Sequence, residues 1–170
     1  DAACAVVSAW SPVDRRAVFS SIVQAWTARA LGTASARVHP QDAELVASAP
    51  VIVDYLSRLD AKNLTMVAPD AGGAERARAY AKRLGGELAV IDKRRSEDGT
   101  AEVMNVIGDV QGRTCIIQDD IVDTAGTITK AAIALKSNGA ARVLACAVHG
   151  VLSGPAIERI EKSPIDKMIV

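Results

Sequence analysis

Aromatic side chains are scarce in this chain: two Trp, two Tyr and one Phe among 170 residues. A core must therefore be built from Ala, Val, Ile and Leu. That disfavours an aromatic-rich β-sandwich and favours helices packed closely on a parallel sheet. Net charge is lacking too, since 20 Lys and Arg balance 20 Asp and Glu. No overall attraction to nucleic acid or an anionic membrane follows, and neither is expected as a partner. No apolar run reaches the length of a membrane span. The chain begins at Asp1 without a basic-then-apolar leader, so no secretory signal is expected. Cys4, Cys115 and Cys146 form no C-x-x-C pair. An odd, unspaced set suggests a reducing compartment, and the cytoplasm is the expected location.

The first 40 residues also lack Lys and Glu. Phe19, Ile22, Val23, Trp26 and Ala30 fall at helical spacing, which predicts a helix over 17–31 that Gly32 stops. No chemistry is legible there. Beyond it, one apolar face (Val51, Ile52, Tyr55, Leu56, Leu59) predicts a helix with Pro50 in its first turn. Strands are expected at 64–68, 87–91, 103–110, 114–117, 142–148 and 165–170. Helices are expected at 75–84, 128–135 and from Ser153, as N-cap, to 160. Such alternation implies an α/β fold with a mostly parallel sheet flanked by helices. One domain over 46–170 is expected, preceded by a segment, 1–45, of different character.

Ligands of such sheets bind beyond the carboxyl ends of the strands. Three loops fall there, at 69–73, 92–100 and 119–127, and they carry the unusual charge. In the last, the acids Asp119, Asp120 and Asp123 precede Thr124-Ala125-Gly126-Thr127, a small-residue turn opening a helix. Unpaired amides at a helix start favour an anion. Ala125 and Gly126 allow close approach, and the Thr124 and Thr127 hydroxyls add donors. Carboxylates beside such a cradle suit sugar hydroxyls or a hydrated divalent cation. The chemistry that fits is a sugar phosphate; the plainer alternative is an acidic loop with an ordinary N-cap. On the residues alone, Lys93, Arg94 and Arg95 read first as a solvated surface run and Asp70 as a turn residue, while His149 reads as structural and is left out of the site.

The segment 119–127 resembles the phosphoribosyl pyrophosphate loop of the type I phosphoribosyltransferase fold. With 68–73, 91–95, 102–109 and 149–154 in order, residues 48–170 resemble the C-terminal half of the ribose-phosphate pyrophosphokinase family. The resemblance implies a transferase of nucleotide biosynthesis, a kinase moving the diphosphoryl group of ATP to ribose 5-phosphate and releasing AMP. It implies that 123–127, with Asp123, Thr124, Ala125, Gly126 and Thr127, hold the 5-phosphate. Asp119 and Asp120 would hold the ribose hydroxyls, and Asp70 would be a Mg²⁺ ligand. Lys93 and Arg95 would act on the transferring phosphates from a mobile loop. As the family forms rings of dimers, it further implies a homo-oligomer where the family's assembly contacts are present.

The family's N-terminal ATP-site features are not legible in residues 1–45, and neither His39 nor His149 sits in its acidic-histidine context. The ATP half of the site is therefore expected to be incomplete, and the chain to stop before the family's closing strand. One hypothesis for the composition of 1–45 is a shifted reading frame or a rearranged gene. Two rival functions stand: a non-catalytic paralogue or fragment binding ribose phosphate or regulating a full-length partner, and a salvage phosphoribosyltransferase. The salvage enzyme would need a base-stacking aromatic that this sequence does not place near the turn. Gln118, where the family has an aliphatic residue, is expected to alter packing alone.

Overall fold

The structure, a computed structural model, describes residues 40–59, 61–95 and 102–170, with side chains from 48–59, 61–93 and 104–170. The helix expected over 17–31 and the tip of the 92–100 loop lie outside the described residues. The compact unit that carries the sheet runs Ile52–Val170. In chain order the elements are α1 (Pro40–Ser57), β1 (Leu64–Ala68), a 3-10 turn (Ala71–Gly73), α2 (Ala74–Leu84), β2 (Glu87–Arg95) and β3 (Glu102–Ile107). There follow β4 (Thr114–Val122), α3 (Gly126–Ser137), β5 (Arg142–Gly150), α4 (Ala156–Glu161) and β6 (Lys167–Ile169).

The strands form one six-stranded sheet in the order β3-β2-β1-β4-β5-β6. All neighbours are parallel except the β2–β3 edge pair, which is antiparallel. This is the expected α/β class. From β1 the chain winds to β2 on one side and then returns to β4 on the other. The crevice beyond β1 and β4 is thus the switch point of the sheet, where doubly wound folds bind ligands.

Every residue of β1 is buried, as are the first five of β4. Continuous apolar burial marks strands covered on both faces. On one face α3 places Ile128, Ala131, Ala132 and Leu135 against Ile117, Val143 and Ala145. On α2, Ala77, Tyr80 and Ala81 are the buried stripe, at the spacing of one helix face. Most of its remaining positions are charged, with Glu75 in the first turn and Lys82 and Arg83 in the last, matching the dipole. Cys115 and Cys146 are buried, and desolvation pushes their thiols up to about 11 and about 12, so they act as small apolar groups.

Several boundaries differ from expectation. α1 starts at Pro40, which leaves Pro50 inside the helix instead of in its first turn. β4 runs on to Val122, so Asp119 and Asp120 belong to a strand and not a loop. Parallel pairing with β5 continues through Asp119↔Ala147 and Val122↔Gly150 and holds that backbone extended. β2 likewise continues through Lys93 to Arg95 because β3 pairs with it, Lys93 opposite Met104 and Arg95 opposite Glu102. Lys93 therefore stands on a two-stranded ribbon, not on a mobile loop. Ser153 does not cap α4; Pro155 is the N-cap position, without a side-chain cap. The Ser153 hydroxyl is used elsewhere.

Candidate functional site

The turn after β4 is held by its carbonyls. Val122 O accepts from the amides of Val151 and Leu152, and Asp123 O from Ser153 N at 3.0 Å. The Ser153 hydroxyl donates to Asp123 Oδ1. Thr124 O accepts from the Arg159 guanidinium at 3.0 Å, and Ala125 O from the Thr129 amide and hydroxyl. Ala125 is left-handed at φ 60 and no side chain caps α3. A non-glycine residue in that conformation costs roughly 1–2 kcal/mol, and the strain persists because the surroundings fix it. The amides of Ala125, Gly126 and Thr127 have no acceptor among the described residues. Thr124 and Thr127 are exposed and Gly126 is half-buried, so the turn is open. An ordinary N-cap is excluded; a mouth of unpaired donors remains.

The acids of β4 lie beside β1's end. Asp120 Oδ2 is 3.2 Å from Arg76 NH1 on α2, and Asp119 Oδ1 accepts from the Asp120 amide at 2.9 Å. Burial pushes the Asp119 carboxyl up to about 6, and the Asp120 side chain and the charges of Asp120 and Asp70 add to the rise. Burial alone would raise Asp120 too, but hydrogen bonds from Asp119 and Arg76, with the Arg76 charge, hold it below the usual range. The two carboxylates are thereby driven apart, a pattern common at functional sites.

Asp70 is at once a turn residue and part of this cluster. Its Oδ1 accepts from Gly73 N at 3.1 Å, while Oδ2 stands 4.0 Å from Lys93 Nζ. Among the described residues no three His, Cys, Asp or Glu converge as a metal cage. A single partly exposed carboxylate oxygen fits a Mg²⁺ that keeps its waters and arrives with substrate phosphates, not a dedicated protein site.

A cavity of about 640 Å³ opens from the turn, lined by Lys93, Thr124, Gly126, Thr127, Lys130 and Arg159, with Lys162 and Glu158 among the rest. Lys93 therefore links the crevice to the cavity. The fold thus gathers Asp70, Lys93, Asp119 and Asp120 at one end of the sheet, with Thr124, Gly126 and Thr127 beside them. The side chain of Arg95 lies outside the described residues. Gln118 is fully buried; its Nε2 donates to Asp119 O at 2.9 Å, and its Oε1 has no partner among the described residues.

Two residues were missed by sequence reasoning. Arg76 had a signal: a cation in the first turn of α2 opposes the helix dipole and invites an explanation, here Asp120. Arg159 had none, lying 35 positions from its partner Thr124.

Comparison with known proteins fits this geometry. Residues 36–169 match the phosphoribosyl transferase domain family. The chain is 55% identical over 121 residues to a ribose-phosphate pyrophosphokinase of Neisseria meningitidis serogroup A, covering 71% of this chain and 37% of that one. For the Bordetella pertussis ribose-phosphate pyrophosphokinase the identity is 56%, with 71% and 39% covered. The chain thus spans about two-fifths of the length of these relatives. Among solved structures, phosphoribosylpyrophosphate synthetase from Mycobacterium smegmatis superposes with a TM-score of 0.65 at 36% identity, over 72% of this chain and 40% of that one. Adenine phosphoribosyltransferase from Thermoanaerobacter pseudethanolicus, at 19% identity and TM-score 0.57 over 76% and 81%, shares the fold. Among the described residues no helix is long and apolar enough to cross a membrane.

Proposed function

The chain belongs to the phosphoribosyl transferase domain family, and we propose that it supplies the ribose-phosphate half of a ribose-phosphate pyrophosphokinase site. The observation that carries this is the row of unpaired amides at Ala125, Gly126 and Thr127 beside the Asp119–Asp120 pair. The turn seats the 5-phosphate of ribose 5-phosphate, with the Thr124 and Thr127 hydroxyls adding donors. Asp119 and Asp120 accept hydrogen bonds from the ribose hydroxyls, which aims the 1-hydroxyl at an incoming diphosphoryl group. Lys93, joined by Arg95, meets the transferring phosphates with positive charge. Transfer of this kind depends on positioning and charge stabilisation and needs no covalent nucleophile. Asp70 would hold Mg²⁺, which when bound would neutralise phosphate charge. Since the chain spans about two-fifths of its relatives, we place most ATP contacts outside the described residues, and any homo-oligomer and the cytoplasmic location belong to the same proposal.

A salvage phosphoribosyltransferase reading is disfavoured by the cavity. Among the described residues its lining holds no aromatic to stack a base, and Tyr55 and Tyr80 are not part of it. A non-catalytic ribose-phosphate binder shares the seat and differs in turnover alone.

Calorimetric titration tests the proposal: ribose 5-phosphate binds, and ATP with Mg²⁺ binds more weakly. Lys93→Ala leaves the ribose 5-phosphate affinity within about twofold of the parent, because Lys93 serves the transferred group, and it lowers any AMP release. No heat with ribose 5-phosphate would contradict the assignment, and an unchanged rate in Lys93→Ala would remove that residue's role.

A further inference from the structure

A phosphate at this turn faces an electrostatic shortfall. A phosphate monoester carries about −1.5 to −2 charge at neutral pH, whereas a helix N-terminus offers roughly half a positive charge. The same stretch brings three carboxylates. Arg76 balances Asp120, but Asp123 is met by a neutral hydroxyl. A dianion beside that acidic wall needs a cation on the other side.

Arg159 of α4 stands there. Its NH1 donates to Thr124 O at 3.0 Å and lies 3.6 Å from where a Cβ on Gly126 would be. It lines the same cavity as Thr124, Gly126 and Thr127. A guanidinium carries five N–H donors in a planar fork, so one bond to a carbonyl leaves others for an anion. Lys162, also on this wall, is engaged by Glu158 at 2.5 Å.

We propose that Arg159 is a substrate-binding residue: its guanidinium clamps the Thr124 carbonyl and bonds the phosphate seated on the Gly126 and Thr127 amides. It makes the seat selective for a phosphorylated sugar over the free sugar. This rests on the ribose-phosphate assignment above and adds a side-chain cation at the 5-phosphate, where that assignment places none.

The test titrates ribose 5-phosphate into the parent, Arg159→Gln and Arg159→Lys, at low and high salt. Amide resonances of Gly126 and Thr127 in the free proteins report the turn. Gln keeps a donor for Thr124 and loses the charge; Lys keeps the charge. Arg159→Gln is expected to weaken binding about tenfold, the scale of one charge-assisted hydrogen bond, and to flatten its salt dependence. Arg159→Lys recovers most of the affinity, and the free amide resonances barely move. Affinity within twofold in both variants would overturn the role of Arg159 while leaving the seat intact. Equal losses in both, with displaced turn resonances in the free proteins, would make Arg159 a brace only and overturn the contact. Absence of binding by the parent would instead sink the ribose-phosphate assignment itself, and this role with it.

Discussion

Asp119→Asn is expected to weaken ribose 5-phosphate binding about a hundredfold at pH 7.5. The carboxylate accepts from ribose hydroxyls, and each hydrogen bond to a charged group is worth about 1.5–3 kcal/mol. Two such bonds traded for an amide that presents donors to donors reach that scale. Stability moves the other way. The folded carboxyl titrates at about 6, above its ordinary value of 3.8. Its contribution to stability is therefore full below about pH 4 and is lost as pH rises through about 6. At pH 7.5 the folded chain carries a charge it disfavours, so Asp119→Asn melts slightly higher while binding worse. Opposite signs separate a lost contact from misfolding. Ionised Asp119 is the binding form, so parent affinity falls as pH drops below about 6. The second ionisation of the phosphate ester also lies near 6, so the parent loses affinity on both counts and the variant on one. Calorimetry from pH 5 to 8, with thermal melts, reads both; a variant with parent affinity and profile would remove Asp119 from the site.

Gly108→Ala is expected to lower stability by about 3 kcal/mol or more. Gly108 has φ +119, and a Cβ there would lie 2.6 Å from Leu88 O and 2.9 Å from Ala89 Cα. These are backbone atoms of β2, so no side chain can swing away. A sparsely populated φ/ψ costs about 1–3 kcal/mol, and overpacking adds about 1–3. Gly108 follows the last residue of β3, whose Ile107 pairs with Val90. Displacing β3 would disturb the ribbon that carries Lys93. The melting temperature should fall by roughly 6–12 °C. Gly112→Ala is the control: φ is +68 with nothing within 4 Å of the new Cβ, so it meets only the left-handed penalty of about 1 kcal/mol. Equal melts for the two would contradict the close approach of β3 to β2.

The class of fold was legible because burial on both faces writes itself into composition. Leu64 to Ala68 and Val143 to Ala147 read as interior strands, and the helices between them carry an apolar stripe. The turn was legible for a related reason: acids followed by small residues at a strand-to-helix junction have few physical uses. What local pattern could not reveal was pairing. Asp119 and Asp120 look like loop residues, yet Ala147 and its neighbours on β5 hold their backbone in the sheet. Lys93 looks unanchored until Met104 is placed opposite it. Both cases put polar side chains at the end of a strand that opens on a crevice, where the backbone is ordered and the side chain is wet. Pro50 misled for the converse reason, since a first-turn proline is the commoner arrangement. Arg159 was invisible because its meaning depends on where α4 folds back.

The central claim is that the amides of the turn seat a phosphate, and nuclear magnetic resonance of the ¹⁵N-labelled chain tests it most directly. Titration with ribose 5-phosphate should move the Gly126 and Thr127 amide signals downfield and saturably, while equal concentrations of ribose leave both in place. Unmoved signals under saturating ribose 5-phosphate, or equal movement with ribose, would contradict the account.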